Sequence, residues 1–139
     1  MIHLPRLPLT ATVLFTYSMF SHAESSHTQD VQAALEKVSY FSLGMSGFAG
    51  QQSEGERLYQ TILHQDNSQD IFLSIANNNK STPEAKLYAA CGLNKLKEYQ
   101  KEGLFNDLQN KKVSVLTGDI LRSVTFSEIY LSILKHGCD

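Results

Sequence analysis

Helix-start signals recur at short intervals along this chain, and they constrain its fold more than any other feature. Ser53-Glu54-Gly55-Glu56 and Thr125-Phe126-Ser127-Glu128 both read as capping boxes. In such a box a hydroxyl takes an orphan backbone N–H and a glutamate three positions on reaches back. Ser81-Thr82-Pro83-Glu84 places a proline where its missing N–H costs nothing, in a first helical turn. Apolar residues follow each signal at helical spacing: Leu58, Tyr59, Ile62 and Leu63; then Leu87, Ala90, Cys91, Leu93 and Leu96, running to about Tyr99; then Phe126, Ile129, Tyr130, Ile133 and Leu134, closed by Gly137. Val31, Ala34, Leu35 and Val38 predict an amphipathic helix from Asp30 to about Tyr40. Asp66 and Gln69 open a helix carrying Ile71, Phe72, Ile75 and Ala76. Asn77-Asn78-Asn79 ends it, because asparagine tolerates a left-handed cap.

These signals predict an all-α single domain of five to six short helices packed as antiparallel hairpins, in the manner of a HEAT-like stack. A short helix is expected to hold Leu104, Phe105 and Leu108. The stretch Lys112–Leu116 alternates weakly, but no partner strand is evident, so it reads as a loop followed by a half-turn from Asp119 to Val124. Gly92 falls inside the Pro83 helix at a cost of roughly 1 kcal/mol against alanine, which a close helix–helix approach would justify.

The N-terminus places the domain. Arg6 precedes an apolar run from Leu9 to Phe20, and no acid occurs before Glu24. Ser21-His22-Ala23 then offers small residues at the first and third positions of a cleavage triplet. The run is shorter than the ~20 residues a spanning helix needs. Residues 1–23 therefore read as a signal peptide and 24–139 as an exported helical domain, periplasmic in a Gram-negative cell, with no stable membrane insertion after cleavage. Loss of Arg6 takes the formal charge from −2 to −3, so a nucleic-acid partner is not expected. Cys91 and Cys138 remain in the exported part, 47 positions apart. In an oxidising compartment they are expected to pair, pinning the C-terminal tail to the core; the other reading is a buried free thiol at Cys91 and a loose Cys138. No C-x-x-C is present, which speaks against a redox-active pair.

Leu43–Gly50 is rich in glycine, with Met45 and Phe48 between the glycines. It lacks the Lys-Ser/Thr of a P-loop and the last glycine of G-x-S-x-G. Either its apolar side chains tuck into the core, or they stay exposed and dock on a partner. The pattern G-x-x-G-F-A-G-x-x-S-E-G-E over Gly44–Glu56, followed by A-K-L-Y-A-x-C-G-L over Ala85–Leu93, resembles small exported bacterial proteins of uncharacterised role. That resemblance implies a common fold around the loop and the Cys91 helix, and it transfers no catalytic residues.

No catalytic residues, cofactor or metal site are expected. His27, His64 and His136 are far apart in sequence and form no ligand motif, and the last two read as favourable charges at helix C-termini. Glu54 and Glu56 point apart on a helix. Ser46 with His64 can be drawn as nucleophile and base, but nothing in the sequence joins them. Lys95, Lys97, Lys101, Lys111 and Lys112 are interleaved with Glu98, Glu102 and Asp107 and read as a solvated face. The expected function is non-enzymatic binding of another protein, concretely the neutralisation of a cognate toxin by an immunity protein, with Tyr40, Met45 and Phe48 as anchors. A structural or assembly adaptor of the cell envelope is the alternative. A small hydrolase built on Ser46, Glu54 or His64 is the third class.

Overall fold

The computed structural model describes residues 22–46, 49–97 and 103–139; the predicted signal-peptide core lies outside them. In chain order the elements are α1 (His22–Leu35), the two-residue strands β1 (Met45–Ser46) and β2 (Gln51–Gln52), α2 (Glu54–Leu63), α3 (Ser68–Asn77), α4 (Pro83–Lys95), β3 (Lys112–Thr117), β4 (Ile120–Thr125) and α5 (Phe126–His136). The all-α expectation is overturned: an antiparallel hairpin of two six-residue strands, β3–β4, stands between the fourth and fifth helices, and a smaller one, β1–β2, before α2. The expected helix at Leu104–Leu108 is a single 3₁₀ turn, Asn106–Leu108. The HEAT-like stack is replaced by an α/β arrangement centred on α4, which packs against α2, α3, α5 and β3.

Helix α4 begins where its sequence predicts. Thr82 Oγ1 accepts from the Ala85 N–H at 3.1 Å, and Pro83 occupies the first turn. Its length is buried on nearly all sides, from Ala85 to Leu93 except Lys86. Gly92 is the reason α3 can lie so close. A Cβ built there would be 2.2 Å from Cε2 of Phe72, a fully buried ring of α3. Helix α4 stops at Lys95, four residues before the predicted end, because Lys97 takes a left-handed φ of 55°.

Other boundaries differ as well. Helix α1 runs from His22 to Leu35 rather than from Asp30 to Tyr40. The chain then turns at residues 36–38, where Glu36 O accepts the Thr82 N–H at 3.0 Å and Val38 O accepts the Thr82 hydroxyl at 2.6 Å. Helix α3 starts at Ser68, after an Asn67 that makes no side-chain cap bond. Its end is not left-handed: Asn78 has a φ of −79°, and its Oδ1 accepts the Lys80 N–H in an Asx turn. Thr125 caps α5 in backbone conformation only, without a side-chain bond, whereas Gly137 ends it at a φ of 75°, as expected.

The β3–β4 hairpin turns through Gly118 and Asp119. Gly118, at a φ of 62°, holds the first loop position, where a type II′ turn requires glycine. Val113 and Val115 face the core, while Phe105, Phe126 and Tyr130 form an aromatic cluster beside them. The outer edge of β3 is closed. Phe41 N–H donates to Ser114 O at 2.8 Å, Leu116 N–H donates to Phe41 O at 2.9 Å, and Ser114 N–H donates to Glu84 Oε1 at 2.9 Å. Cys91, fully buried on α4, is bonded to Cys138 just past α5, with Cα atoms 5.7 Å apart. Among the described residues no helix is long and apolar enough to cross a membrane.

Two tyrosines carry a pH signature of this packing. Burial, with Asp139 and Glu56 adding negative potential, pushes Tyr59 up to about 12, and burial also raises Tyr88. In the unfolded chain both phenols ionise near 10. The folded state therefore holds their protons more tightly, and this stabilisation is complete below about pH 10 and is lost as pH rises towards about 12. Urea midpoints should fall across that interval by an amount equivalent to ~2 kcal/mol, and Tyr59→Phe should flatten the fall. A midpoint that stays level through the interval in the parent protein would contradict this assignment.

Candidate functional site

The site begins at Ser42, the residue before the glycine-rich segment. Ser42 is buried, and its backbone is held by the Tyr88 hydroxyl, which accepts the Ser42 N–H at 3.0 Å and donates to the Ser42 carbonyl at 2.8 Å. Ser53 Oγ lies 3.3 Å from both the Tyr88 hydroxyl and Ser42 O, and it accepts the Glu56 N–H at 3.1 Å to cap α2. This is the Ser53 half of the predicted capping box; Glu56 Oε2 is buried with no hydrogen-bond partner among the described residues. Tyr88 thus clamps both ends of residues 42–53 to α4. Within that stretch Met45 pairs with Gln52 and Ser46 with Gln51.

Gly55 completes the clamp. A Cβ there would lie 2.7 Å from Cε2 and Oη of Tyr88, so only glycine lets the ring pass beneath α2. The two stretches of the sequence pattern, Gly44–Glu56 and Ala85–Leu93, are therefore in direct contact through Ser53, Gly55 and Tyr88.

A groove of about 280 Å³ opens beside this clamp. Val38, Leu58 and Gly55 form its apolar lining, Tyr40 contributes an aromatic wall, and Lys37 and Glu54 place opposite charges among the surrounding residues. Tyr40 is half-buried and so presents part of its ring. Of the three anchors expected from sequence, Tyr40 lines the groove, Met45 is placed in β1 by its backbone, and Phe48 lies outside the described residues. The disulfide pair Cys91 and Cys138 is formed as expected.

The residues drawn as a hydrolase are not brought together. β1 and Glu54 are at the N-terminal end of α2, whereas His64 caps the C-terminal end. Ten helical residues span about 15 Å. His64 Nδ1 donates to the Gln60 carbonyl oxygen at 2.7 Å. His64 and His27, distant in sequence, line one polar cleft of about 930 Å³ between α1 and the α2–α3 turn. That proximity follows from the antiparallel packing of α1 on α2. Among the described residues no group of three His, Cys, Asp or Glu side chains could hold a metal ion.

Sequence reasoning missed four exposed large apolar residues. Ile120, Leu121 and Leu131 are each 62% exposed and Leu134 is 47% exposed. The apolar stripe predicted for α5 includes Leu134, but it is buried only at Phe126 and Ile133 and half-buried at Ile129 and Tyr130. Two adjacent large apolar residues beside a Gly-Asp turn were the available signal. Compared with protein-family models, with curated proteins and with solved structures, the chain gives no match in any of the three.

Proposed function

We propose that this is an exported, periplasmic, non-enzymatic protein that acts by binding another protein, most concretely a toxin that it neutralises as an immunity protein. One observation carries the reading: the walls of the Tyr40 groove are fixed to α4 on both sides. Thr82 holds residues 36–38, and Tyr88 holds Ser42 and Ser53. A binding surface gains affinity when its anchors are ordered before the partner arrives, because less conformational entropy is lost on association. A half-exposed tyrosine in an apolar groove, with Lys37 and Glu54 also in the lining, is the kind of anchor that dominates protein interfaces. The Cys91–Cys138 bond belongs to the chemistry of oxidising compartments and supports the periplasmic assignment.

The test places a photo-crosslinking amino acid at Tyr40 in the living cell, with Lys135 on α5 as the comparison position. A discrete protein adduct at position 40 and none at position 135 is expected, together with loss of protection against the adduct protein when Tyr40→Ala is introduced. No site-specific adduct at position 40, or protection that survives Tyr40→Ala unchanged, counts against the proposal.

A further inference from the structure

The two edges of the β3–β4 hairpin are treated differently, and the difference points to a second copy of this chain. Ser114 and Leu116 of β3 send their N–H groups away from β4, to Glu84 and Phe41. Their cross-strand partners are Ser123 and Leu121. In an antiparallel ladder, opposed residues either exchange both bonds or exchange none. Ser123 and Leu121 therefore turn their N–H and C=O groups away from β3 as well, to the free side of β4. Among the described residues nothing bonds to them there. The strand they belong to, Ile-Leu-Arg-Ser-Val-Thr, is exposed from Ile120 to Ser123 and carries no proline or bulge, and Arg122 is its single charged residue among the devices that keep an edge from pairing.

We infer that β4 pairs antiparallel with β4 of a second copy about a two-fold axis at Ser123, joining the hairpins into one four-stranded sheet. The register follows from charge and geometry. Centring the axis on Arg122 sets two guanidinium groups opposite one another, a repulsive cross-strand pair. Centring it on Leu121 sets Ser123 against Asp119, which belongs to the turn rather than to the strand. Centring it on Ser123 opposes Leu121 with Thr125 and Arg122 with Val124, so no like charges meet and each outward backbone group of Ser123 finds a partner. Such an isologous contact is closed, because one two-fold axis satisfies both edges and leaves β3 on the outside, already covered by Phe41 and Glu84. This dimer involves elements other than the Tyr40 groove and does not depend on the partner-binding proposal.

The experiment measures mass by light scattering on the purified, oxidised protein at micromolar concentration, and amide exchange by NMR. Twice the monomer mass is expected, with the Leu121 and Ser123 amides slowed roughly tenfold or more relative to the diluted protein. Ser123→Pro removes an N–H that points away from β3, a position where an edge strand accepts proline. This variant is expected to give the monomer mass with an unchanged circular dichroism spectrum, while Ser123→Ala, which keeps the N–H, stays dimeric. A wild-type monomer whose Leu121 and Ser123 amides exchange as fast as those of an open strand overturns the inference. A Ser123→Pro variant that remains dimeric overturns it equally. If the proline variant does not fold, the concentration dependence of the two wild-type amides decides alone: slowing with concentration supports the dimer, and rates independent of concentration refute it.

Discussion

Gly92→Ala is expected to destabilise the protein by about 3 kcal/mol, the upper end of the cost of overpacking a tight core. In this size range that corresponds to a drop of roughly 10 °C in the melting temperature. Helix propensity alone predicts the opposite sign, since alanine is favoured over glycine by roughly 1 kcal/mol inside a helix. Contact decides the sign. The added methyl would be placed 2.2 Å from Cε2, 2.3 Å from Cδ2 and 2.5 Å from Cζ of Phe72, a ring that is fully buried and so cannot swing out into solvent. Phe72 is also packed on Tyr59, with ring centroids 5.7 Å apart, so a shift is passed on to α2. A double-mutant cycle with Phe72→Leu provides the check. The smaller side chain makes room, and the two substitutions together should cost clearly less than the sum of each alone. A neutral or stabilising Gly92→Ala would show that α3 and α4 are not held at this distance.

Removing the disulfide is the second large effect. The double replacement Cys91→Ala with Cys138→Ala should cost up to about 4 kcal/mol, the chain-entropy value for a closed loop of this length. The loop it closes contains β3, β4 and α5, so the bond limits how far the hairpin and the last helix can wander in the unfolded chain. In the folded protein it fixes the turn after Gly137 against α4. The exposed Lys95–Asp139 ion pair beside it adds little, because both side chains remain in solvent. Chemical denaturation with and without reductant gives the measurement. A difference below about 1 kcal/mol would mean that packing of Phe126 and Ile133 already holds α5 and that the sulfur bridge is incidental. Reduction is expected to proceed through the Cys138 side, since that residue is half-buried whereas Cys91 is enclosed.

Much of the helical content was legible because its signals are local. A hydroxyl cap at Ser53 or Thr82, a proline in the first turn and a glycine after His136 each act within a few residues of where they stand. The hairpin was misread for the opposite reason. Lys112–Leu116 shows no partner in its own alternation, yet the partner strand begins after only two intervening residues, Gly118 and Asp119. Its own residues, Ile120 to Ser123, are exposed on both faces and so show no alternation of buried and solvated positions. Gly118-Asp119 was the local sign of the turn.

The candidate site divides in the same way. The glycine-rich segment and Tyr40 stand out in the sequence, and so does the Ser53 cap. That Tyr88, on a helix 35 residues later, would hold Ser42 and Ser53 together is a contact between distant segments, which periodicity does not encode. The meeting of His27 with His64 in one cleft, and the exposure of Leu131 and Leu134, likewise depend on how helices are oriented against their neighbours.

By itself, then, the sequence determined where most helices begin, where the last one ends, and that two cysteines were available to close a loop. These are properties of the near-neighbour backbone, governed by hydrogen-bond capping and side-chain spacing. Tertiary structure alone decided that α4 lies at the centre, that Gly55 is a site of contact, which ring the expected close approach at Gly92 admits, and which strand edge is covered and which is left open. Those outcomes depend on close packing between segments far apart in the chain, where a single methyl group or an unpaired N–H changes the balance.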